Sequence, residues 1–435
     1  MSIINKIRIA VNNPTYRSVG TYIFTNFFSK GVSFLLIPLF TNPKYLTPTD
    51  NGMLSLFSSN LMLLTPFICL GMVQSATADY FKKTKEAFTA AFTTNLAFSF
   101  FLMLLATLVL FLSRDILHRK FDFPPSFIFI IPGLAFLTFL SEQLFALVRN
   151  RNEVKNYAFF GITKTLIEYG VSVVLIVFLF HGWVGRVWGI AISLISINLA
   201  GFFYYQRNRY LSLKINMAHV WEEVKFGIPV FAFQFCVFLL GSTNKLFLAY
   251  FNVDKYQLGI YAVACVFGSL IGTIAQSILL YAQPKLYQSI SSGNATLQSA
   301  RKGFADYVKM LIFISIPCIL FVLLLYNTVV NKIYMEGIPF FLIVALSSFI
   351  WGLNNYIFMF LLYHKEKKRI LVLSLASIVC SVTVNIIMVK NFMIWGDALS
   401  GLINTLIFGA LLILVARKVI INTLKNKQTA IIPNP

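Results

Sequence analysis

Long apolar stretches alternate with short polar connectors along the whole chain. About 20 apolar residues cross a hydrocarbon core roughly 30 Å thick, and twelve stretches reach that length. In the first half their predicted bounds are 18–40, 51–72, 88–112, 126–148, 157–180 and 186–205. In the second half they are 226–251, 257–283, 306–326, 338–363, 370–389 and 395–415. The pattern predicts an all-α integral membrane protein with twelve transmembrane helices.

The polar connector near the middle of the chain divides these stretches into two sets of six. We predict an N-terminal lobe over residues 1–206, a cytoplasmic linker over 207–225 and a C-terminal lobe over 226–435 that ends in a short basic tail. Both halves begin on the same side, so an internal duplication would be a parallel repeat about an axis along the membrane normal. Two lobes of this kind leave a central cleft, where transporters bind their substrates.

Lys and Arg fall mainly on alternate connectors, for example at 82–85 and at 365–369. Cytoplasmic loops retain these residues, so we predict a multi-pass protein of the bacterial inner membrane with both termini in the cytoplasm. The net charge of +21 is spread over seven segments instead of one domain. This distribution argues against nucleic acid as a partner and favours contact with anionic lipid headgroups.

The composition and the missing motifs exclude several classes of protein. Hydrophobic residues make up 58% of the chain and charged residues 12%, whereas soluble domains have about half and a quarter. The sequence contains no nucleotide-binding GxxxxGK[ST] motif, no HExxH motif and no CxxC pair among its five cysteines. We therefore expect a transporter and no enzyme, with no catalytic residue, no metal and no bound cofactor.

Two lysines lie within predicted spans at corresponding places, in the first helix of each half. An ionisable group at mid-bilayer costs about 2.5–3.5 kcal/mol, so it should face protein, water or a partner. Lys30 lies near the middle of its span and Lys245 in the outer part of its own. We predict that both face the cleft and attract an anionic group, for which an ammonium is a suitable point charge. Snorkelling of Lys245 to the outer interface is the alternative.

Three further charges lie within the fourth and fifth spans. Lys164 and Glu168 are spaced i, i+4 and share one helix face, and Glu142 lies at a similar predicted depth in the adjoining span. Intramembrane charges commonly pair with one another, which predicts a structural ion-pair cluster of these three residues. The alternative is that a carboxylate of this group couples transport to the movement of H+ or Na+.

Uncharged polar side chains are concentrated in the opening helices of each half. Such groups can bind sugar hydroxyls in a wet cavity, and they also hydrogen-bond between helices. Their concentration favours a substrate cavity. The predicted substrate-binding residues of this type are Asn26, Asn60, Gln234, Asn244 and Gln276.

Several segments carry a resemblance to a known family. The segment FFSKGVSFLLIPLFTNPKYLTPTDNGMLSLF, at 27–57, resembles the opening of the polysaccharide-biosynthesis flippases of the MOP exporter superfamily. The segment KFGIPVFAFQFCVFLLGSTNKLFLAYF, at 225–251, together with LGIYAVA and QSILLYAQPKLY, is similar to their seventh and eighth helices. Chain length, span number and predicted topology resemble most the Wzx-type O-antigen repeat-unit flippases, which are related to MATE transporters and lipid II flippases.

The resemblance implies a substrate that composition cannot name. It implies that an undecaprenyl-pyrophosphate-linked oligosaccharide moves from the cytoplasmic to the periplasmic leaflet by alternating access. Membrane lipids, a polysaccharide polymerase and chain-length machinery are the implied partners. Transport driven by H+, by Na+ or by the membrane potential alone stays open at this point.

One departure from the family pattern concerns the end of the seventh helix. The family often has Asp-Arg there, whereas this chain has Asn244-Lys245, so the cation is retained and the acid is absent. Two other functions remain as alternatives. A MATE-like drug or cation exporter would prefer buried acids, and a membrane polymerase or ligase would carry a large periplasmic loop.

Overall fold

The structure is a computed structural model that describes residues 14–121, 124–212, 217–241, 244–292, 296–364 and 366–425. These residues form helices and no strand. The chain divides into two compact units, Met1–Phe231 and Ala232–Pro435. The lobe and linker bounds given above stay predictions, and helix Met217–Gly241 begins within the predicted linker.

The first unit contains nine complete helices and the start of a tenth within its described residues. Helix α9 packs along α8, α3 packs against α7, and α1 lies against α8. A π-helical turn, Val174–Phe178, continues α8. The helices are α1 (Pro14–Leu35), α2 (Ile37–Phe40), α3 (Pro48–Cys69), α4 (Met72–Lys82), α5 (Lys85–Leu112), α6 (Arg114–Phe121), α7 (Phe127–Asn150), α8 (Val154–Val173), α9 (Gly182–Arg207) and α10 (Met217–Gly241).

The second unit is built around α12 and α14, which pack along each other. Gly268 of α12 makes their approach possible, since a Cβ there would lie 2.6 Å from Val344 of α14. Helix α14 also packs on α15, and α11 packs on α15. The helices are α11 (Asn244–Tyr250), α12 (Lys255–Ser291), α13 (Leu297–Thr328), a 3-10 turn (Lys332–Gly337), α14 (Ile338–Tyr363) and α15 (Lys367–Lys425).

The apolar surface of the helices identifies a multi-pass membrane protein. Within the described residues, nine helical segments are long and apolar enough to cross a membrane. The most apolar stretches of α5 and α13 are only 11% and 17% buried. In water such exposure would be unfavourable, whereas in lipid it is the expected state. The predicted all-α membrane class is confirmed.

The predicted spans and the helices correspond closely. Helix α14 covers the same residues, 338–363, as the tenth predicted span. Helix α15 is broken at Met393, whose φ of 49° and ψ of −123° are not helical. The last two predicted spans, 370–389 and 395–415, lie on the two sides of this break. The total of twelve membrane crossings stays a prediction.

Candidate functional site

The predicted substrate-binding residues have different surroundings in the structure. Lys30 on α1 and Gln276 on α12 are exposed on their own units. The Asn60 amide donates to the Leu56 carbonyl of its own helix, at 2.9 Å. In α10, Gln234 has a buried Oε1 without a hydrogen-bond partner among the described residues. The side chains of Asn26 and Asn244 lie outside the described residues.

Lys245 lines a cavity of about 260 Å³ inside the second unit. The cavity lies among α10, α11, α12, α14 and α15, and its wall contains one ammonium, one carboxylate and several hydroxyls. The polar and aromatic residues of this wall are Lys245, Tyr261, Cys265, Ser269, Ser347, Ser348, Trp351, Asp397 and Thr405. We call it the Lys245 cavity.

Asp397 is the carboxylate of the Lys245 cavity, and its side chain is fully buried. The positive charge of Lys245 acts on this carboxylate, and the Tyr261 hydroxyl interacts with it. Asp397 follows the break at Met393 by four residues, so it lies in the first turn after the break. A carboxylate in a first helical turn is favoured by the helix dipole. The break therefore helps to hold an acid inside the unit.

Hydroxyl groups on α14 and α15 form the opposite part of the wall. Ser347 lies 2.9 Å from the Thr405 hydroxyl and donates to the Gly401 carbonyl at 3.1 Å. Below them, the Asn354 amide donates to the Thr405 carbonyl at 2.9 Å. The Thr405 hydroxyl also donates to the Gly401 carbonyl, at 2.6 Å. These bonds fix both side chains and leave hydroxyl oxygens at the cavity wall, where they can accept hydrogen bonds from a sugar.

Sequence reasoning placed Lys245 among the functional residues and missed Asp397. Asp397 lies two positions after the start of the last predicted span, at residue 395, and the intramembrane charges singled out from the sequence did not include it. A signal was nevertheless present in the sequence. Asp397, Ser400, Gly401, Asn404 and Thr405 recur every three or four residues, which places them on one helix face.

In the first unit, Glu168 pairs with Arg186 and not with Lys164. The guanidinium Nη2 lies 2.6 Å from Glu168 Oε1, and Nη1 donates to the Ser172 hydroxyl at 3.0 Å. The same guanidinium lies 4.3 Å from the centre of the Tyr169 ring. This differs from the predicted cluster, because the α8 side chain turns towards α9.

Lys164 and Glu142 are related only at longer range. The charge of Lys164 acts on Glu142, but no ion pair within 4 Å joins Lys164 to either acid in the part of the chain that the structure describes. Glu168 therefore has an ion-pair partner, Arg186, that lies outside the predicted cluster. A coupling role for Glu142 stays a prediction.

Comparison with known proteins gives a family match and several structural likenesses. Residues 44–337 match the model of the family described as "Polysaccharide biosynthesis protein". A comparison with curated proteins gives no match.

The solved structures that resemble this chain are membrane transporters. The lipid II flippase MurJ, in an inward closed conformation, has a TM-score of 0.69 at 15% identity, covering 94% of this chain and 90% of that one. An inward-facing multidrug resistance MATE family transporter of the MOP superfamily has a TM-score of 0.66 at 13% identity, and the match covers 90% of this chain and 98% of that one. A MOP superfamily transporter from Pyrococcus furiosus has a TM-score of 0.55 at 14% identity, and the match covers 97% of this chain and 99% of that one. At these identities the likeness establishes the fold.

Proposed function

Because the chain belongs to the polysaccharide biosynthesis protein family, we propose that it is a flippase for a lipid-linked oligosaccharide. The proposed substrate is an undecaprenyl-pyrophosphate-linked repeat unit of an O-antigen or a related polysaccharide. It moves from the cytoplasmic to the periplasmic leaflet of a bacterial inner membrane, by alternating access. A polysaccharide polymerase and chain-length machinery are the proposed partners that use the product.

The observation that carries this proposal is the Lys245 cavity. A pyrophosphate needs a cation that remains charged, and it needs hydrogen-bond donors that are already oriented. Lys245 supplies the first, and the Ser348 hydroxyl at the cavity wall supplies a donor. The Ser347 and Thr405 hydroxyls already donate to the Gly401 carbonyl, so their oxygens can accept hydrogen bonds from sugar hydroxyls.

Lys30 has a complementary part in the proposal. In its predicted position near the middle of the first span, an ammonium attracts an anionic headgroup away from the leaflet. The sugars then lie against polar side chains, and the polyprenyl tail stays in lipid. Lys30→Gln should therefore reduce surface polysaccharide at an unchanged protein level.

The membrane potential supplies a driving force in this proposal. With the cell interior negative, moving one negative charge outward is favourable by about 2.3 kcal/mol per 100 mV. A pyrophosphate-linked lipid carries at least one such charge. Coupling to H+ or Na+ is then not required for net outward movement.

A cell-based complementation experiment tests the substrate class. In a strain that lacks this protein, lipid-linked repeat units should accumulate and surface polysaccharide should be lost. The wild-type gene and Lys332→Gln, which changes an exposed lysine outside the cavity, should both restore the polymer. Lys245→Gln should not. Full restoration by Lys245→Gln would contradict the proposed role of the cavity.

Asp397 favours one alternative, a MATE-like exporter of drugs or cations, because such a protein needs a buried acid. The two lysines would repel a cationic substrate, so we place this function second. Overexpression followed by drug susceptibility profiling discriminates the two. Resistance that depends on Asp397 would favour the exporter, and unchanged susceptibility would favour the flippase.

A further inference from the structure

Two helices of the first unit face each other with residues that repeat every four positions. On one side, Ser75 and Asp79 follow this spacing along α4, between its N-cap residue Gly71 and its C-cap residue Lys83. On the other side, His219, Glu223 and Gly227 follow it along α10. A spacing of four residues keeps side chains on one helix face. The two stripes meet at three places: Gly71 lies against Val230, Ser75 donates to Glu223, and Asp79 lies near His219.

Small residues allow the two backbones to come close at one end of this contact. A Cβ at Gly227 would lie 2.1 Å from the Leu70 carbonyl oxygen, and a Cβ at Gly71 would lie 3.1 Å from Val230. Only glycine fits at such a distance. The close crossing fixes the separation of the next residues along both stripes, which are Ser75 and Glu223.

Three potential metal ligands converge beyond the crossing. Asp79, His219 and Glu223 each offer one ligand atom, and these atoms lie within 4.8 Å of one another. His219 Nε2 lies 3.2 Å from Glu223 Oε1 and 3.9 Å from Asp79 Oδ2. In a tetrahedral zinc site, bond lengths of 2.0–2.2 Å place neighbouring donors about 3.3 Å apart. The present spacing needs only small side-chain adjustments to reach that value.

The cluster is buried, and one of its oxygens has no partner. Glu223 is 2% exposed and His219 is 4% exposed. Glu223 Oε1 accepts a hydrogen bond from the Ser75 hydroxyl. Its Oε2 is buried and has no hydrogen-bond partner within the described part of the chain. A buried carboxylate oxygen without a partner is costly, and a bound cation would remove that cost.

The net charge around the cluster also favours a bound cation. Lys83 Nζ lies 2.7 Å from Asp79 Oδ2 and so neutralises one carboxylate. With both acids ionised, Asp79, Glu223 and Lys83 together carry one net negative charge. Glu222 Oε2 lies 3.6 Å from His219 Nδ1. A carboxylate at that nitrogen is the usual orienting partner of a metal-bound histidine. Lys83 Nζ also lies 3.4 Å from Nδ1, so metal binding at Nε2 requires the Nδ1 proton to face Glu222 instead of Lys83.

We propose that Asp79, His219 and Glu223 form a binding site for a divalent transition metal, with Zn²⁺ as the best-fitting ion. One imidazole and two carboxylates suit Zn²⁺ better than Mg²⁺ or Ca²⁺, which prefer oxygen ligands alone. The sequence alone predicts no metal site. That expectation searched for closely spaced motifs, whereas Asp79 lies 140 positions before His219 in the sequence.

The site joins α4 to α10, and α10 continues past residue 231 to Gly241. A metal bound there would cross-link the end of α4 to the beginning of α10. We therefore expect metal binding to stabilise the first unit against unfolding. This consequence is independent of the substrate that the protein transports.

Metal content of the purified full-length protein tests the proposal. The protein in detergent is stripped with a chelator, reloaded with Zn²⁺, passed through a desalting column and analysed by elemental mass spectrometry. Wild type and the control His181→Gln, which changes an exposed histidine of the same unit, should each retain one Zn²⁺. His219→Gln and Glu223→Gln should retain less than a tenth of that amount. Absence of zinc from wild type, or full retention by His219→Gln, would overturn the proposal.

A second measurement covers the case in which the variants do not fold. Zn²⁺ should raise the melting temperature of the wild-type protein, and EDTA should reverse the rise. Co²⁺ loaded into wild type should give weak visible bands without the strong near-ultraviolet band of a thiolate ligand, since the site contains no cysteine. A strong thiolate band would assign the metal to one of the five cysteines and overturn the proposal. None of these measurements depends on transport, so their failure would leave the flippase proposal unaffected.

Discussion

The Lys245 ammonium and the Asp397 carboxylate line the same cavity of the second unit, although they come from its first and last helices. The charge of Lys245 acts on Asp397, and Asp397 has no exposed surface. A buried carboxylate near a single ammonium depends on that ammonium for its stability. Lys245 therefore has a structural role, to stabilise Asp397, in addition to its proposed role in binding substrate.

A comparison of single and double variants distinguishes the two roles of Lys245. Lys245→Gln should lower the free energy of unfolding by about 1–3 kcal/mol, because the buried Asp397 carboxylate loses its favourable interaction with the Lys245 charge. Lys245→Gln combined with Asp397→Asn should recover most of this loss. Thermal unfolding in detergent measures both. Transport should stay absent in the double variant, since the anion-binding ammonium is still missing. Recovery of transport would show that Lys245 serves only to neutralise Asp397.

The Arg186 and Glu168 ion pair should contribute to stability within the first unit. Arg186→Gln leaves the partly buried Glu168 carboxylate without its charged partner, and we expect a loss of about 2 kcal/mol. Lys164→Gln is the matched control, since Lys164 lies on the same helix as Glu168 and forms no ion pair with it within 4 Å. The control should change the melting temperature much less. Equal losses in the two variants would contradict this assignment.

Close packing at Gly227 gives a prediction with a glycine control. Gly227→Ala would place a methyl group 2.1 Å from the Leu70 carbonyl oxygen, and both atoms lie on or next to backbone. We expect a loss of about 3 kcal/mol. Gly133→Ala, where no atom lies within 4 Å of the added methyl, should be neutral or stabilising by up to about 1 kcal/mol. Unfolding midpoints of the two variants compare them directly.

Glu153 gives the protein a pH-dependent stability. Burial raises the pKa of Glu153, but hydrogen bonds from Tyr204, at 2.8 Å, and Asn156, at 2.7 Å, together with Arg151 outweigh that effect and lower it below its usual value. A lowered pKa means that the stabilisation is present at neutral pH and is lost as the pH falls through the folded-state value.

Melting temperatures measured from pH 7 to pH 3 test this assignment. Glu153→Gln should lower the melting temperature at pH 7 and should lose less than wild type on acidification. Glu86→Gln, which changes an exposed acid, should follow the wild-type curve. An unchanged acid profile in Glu153→Gln would show that other groups control the acid response.

Hydropathy predicted the helices well, because the transfer of apolar residues into lipid is a local property of each segment. Helix α14 begins and ends at the predicted residues. The predicted ion-pair cluster was less successful, since helix rotation decides which neighbour a side chain meets. Glu168 could turn to Lys164 on its own helix or to Arg186 on the next, and spacing alone did not discriminate them.

The residues that the two proposals add to those predicted from the sequence share one property. Asp397 lies at the edge of an apolar run, and Asp79, His219 and Glu223 lie in helical extensions beyond the predicted spans. Charges at such places are common and usually face solvent, so their position carried no signal. Their significance arises only when the fold brings distant segments together.

Transport by purified protein in liposomes tests the central claim most directly. Vesicles contain a pyrophosphate-linked polyprenyl oligosaccharide with a labelled sugar, and the fraction accessible to an external sugar-modifying enzyme is followed over time. Wild type and Lys332→Gln should expose the inner-leaflet substrate at a rate well above that of empty liposomes, and Lys245→Gln should match the empty liposomes. A wild-type rate equal to that of empty liposomes, or undiminished transport by Lys245→Gln, would contradict the account.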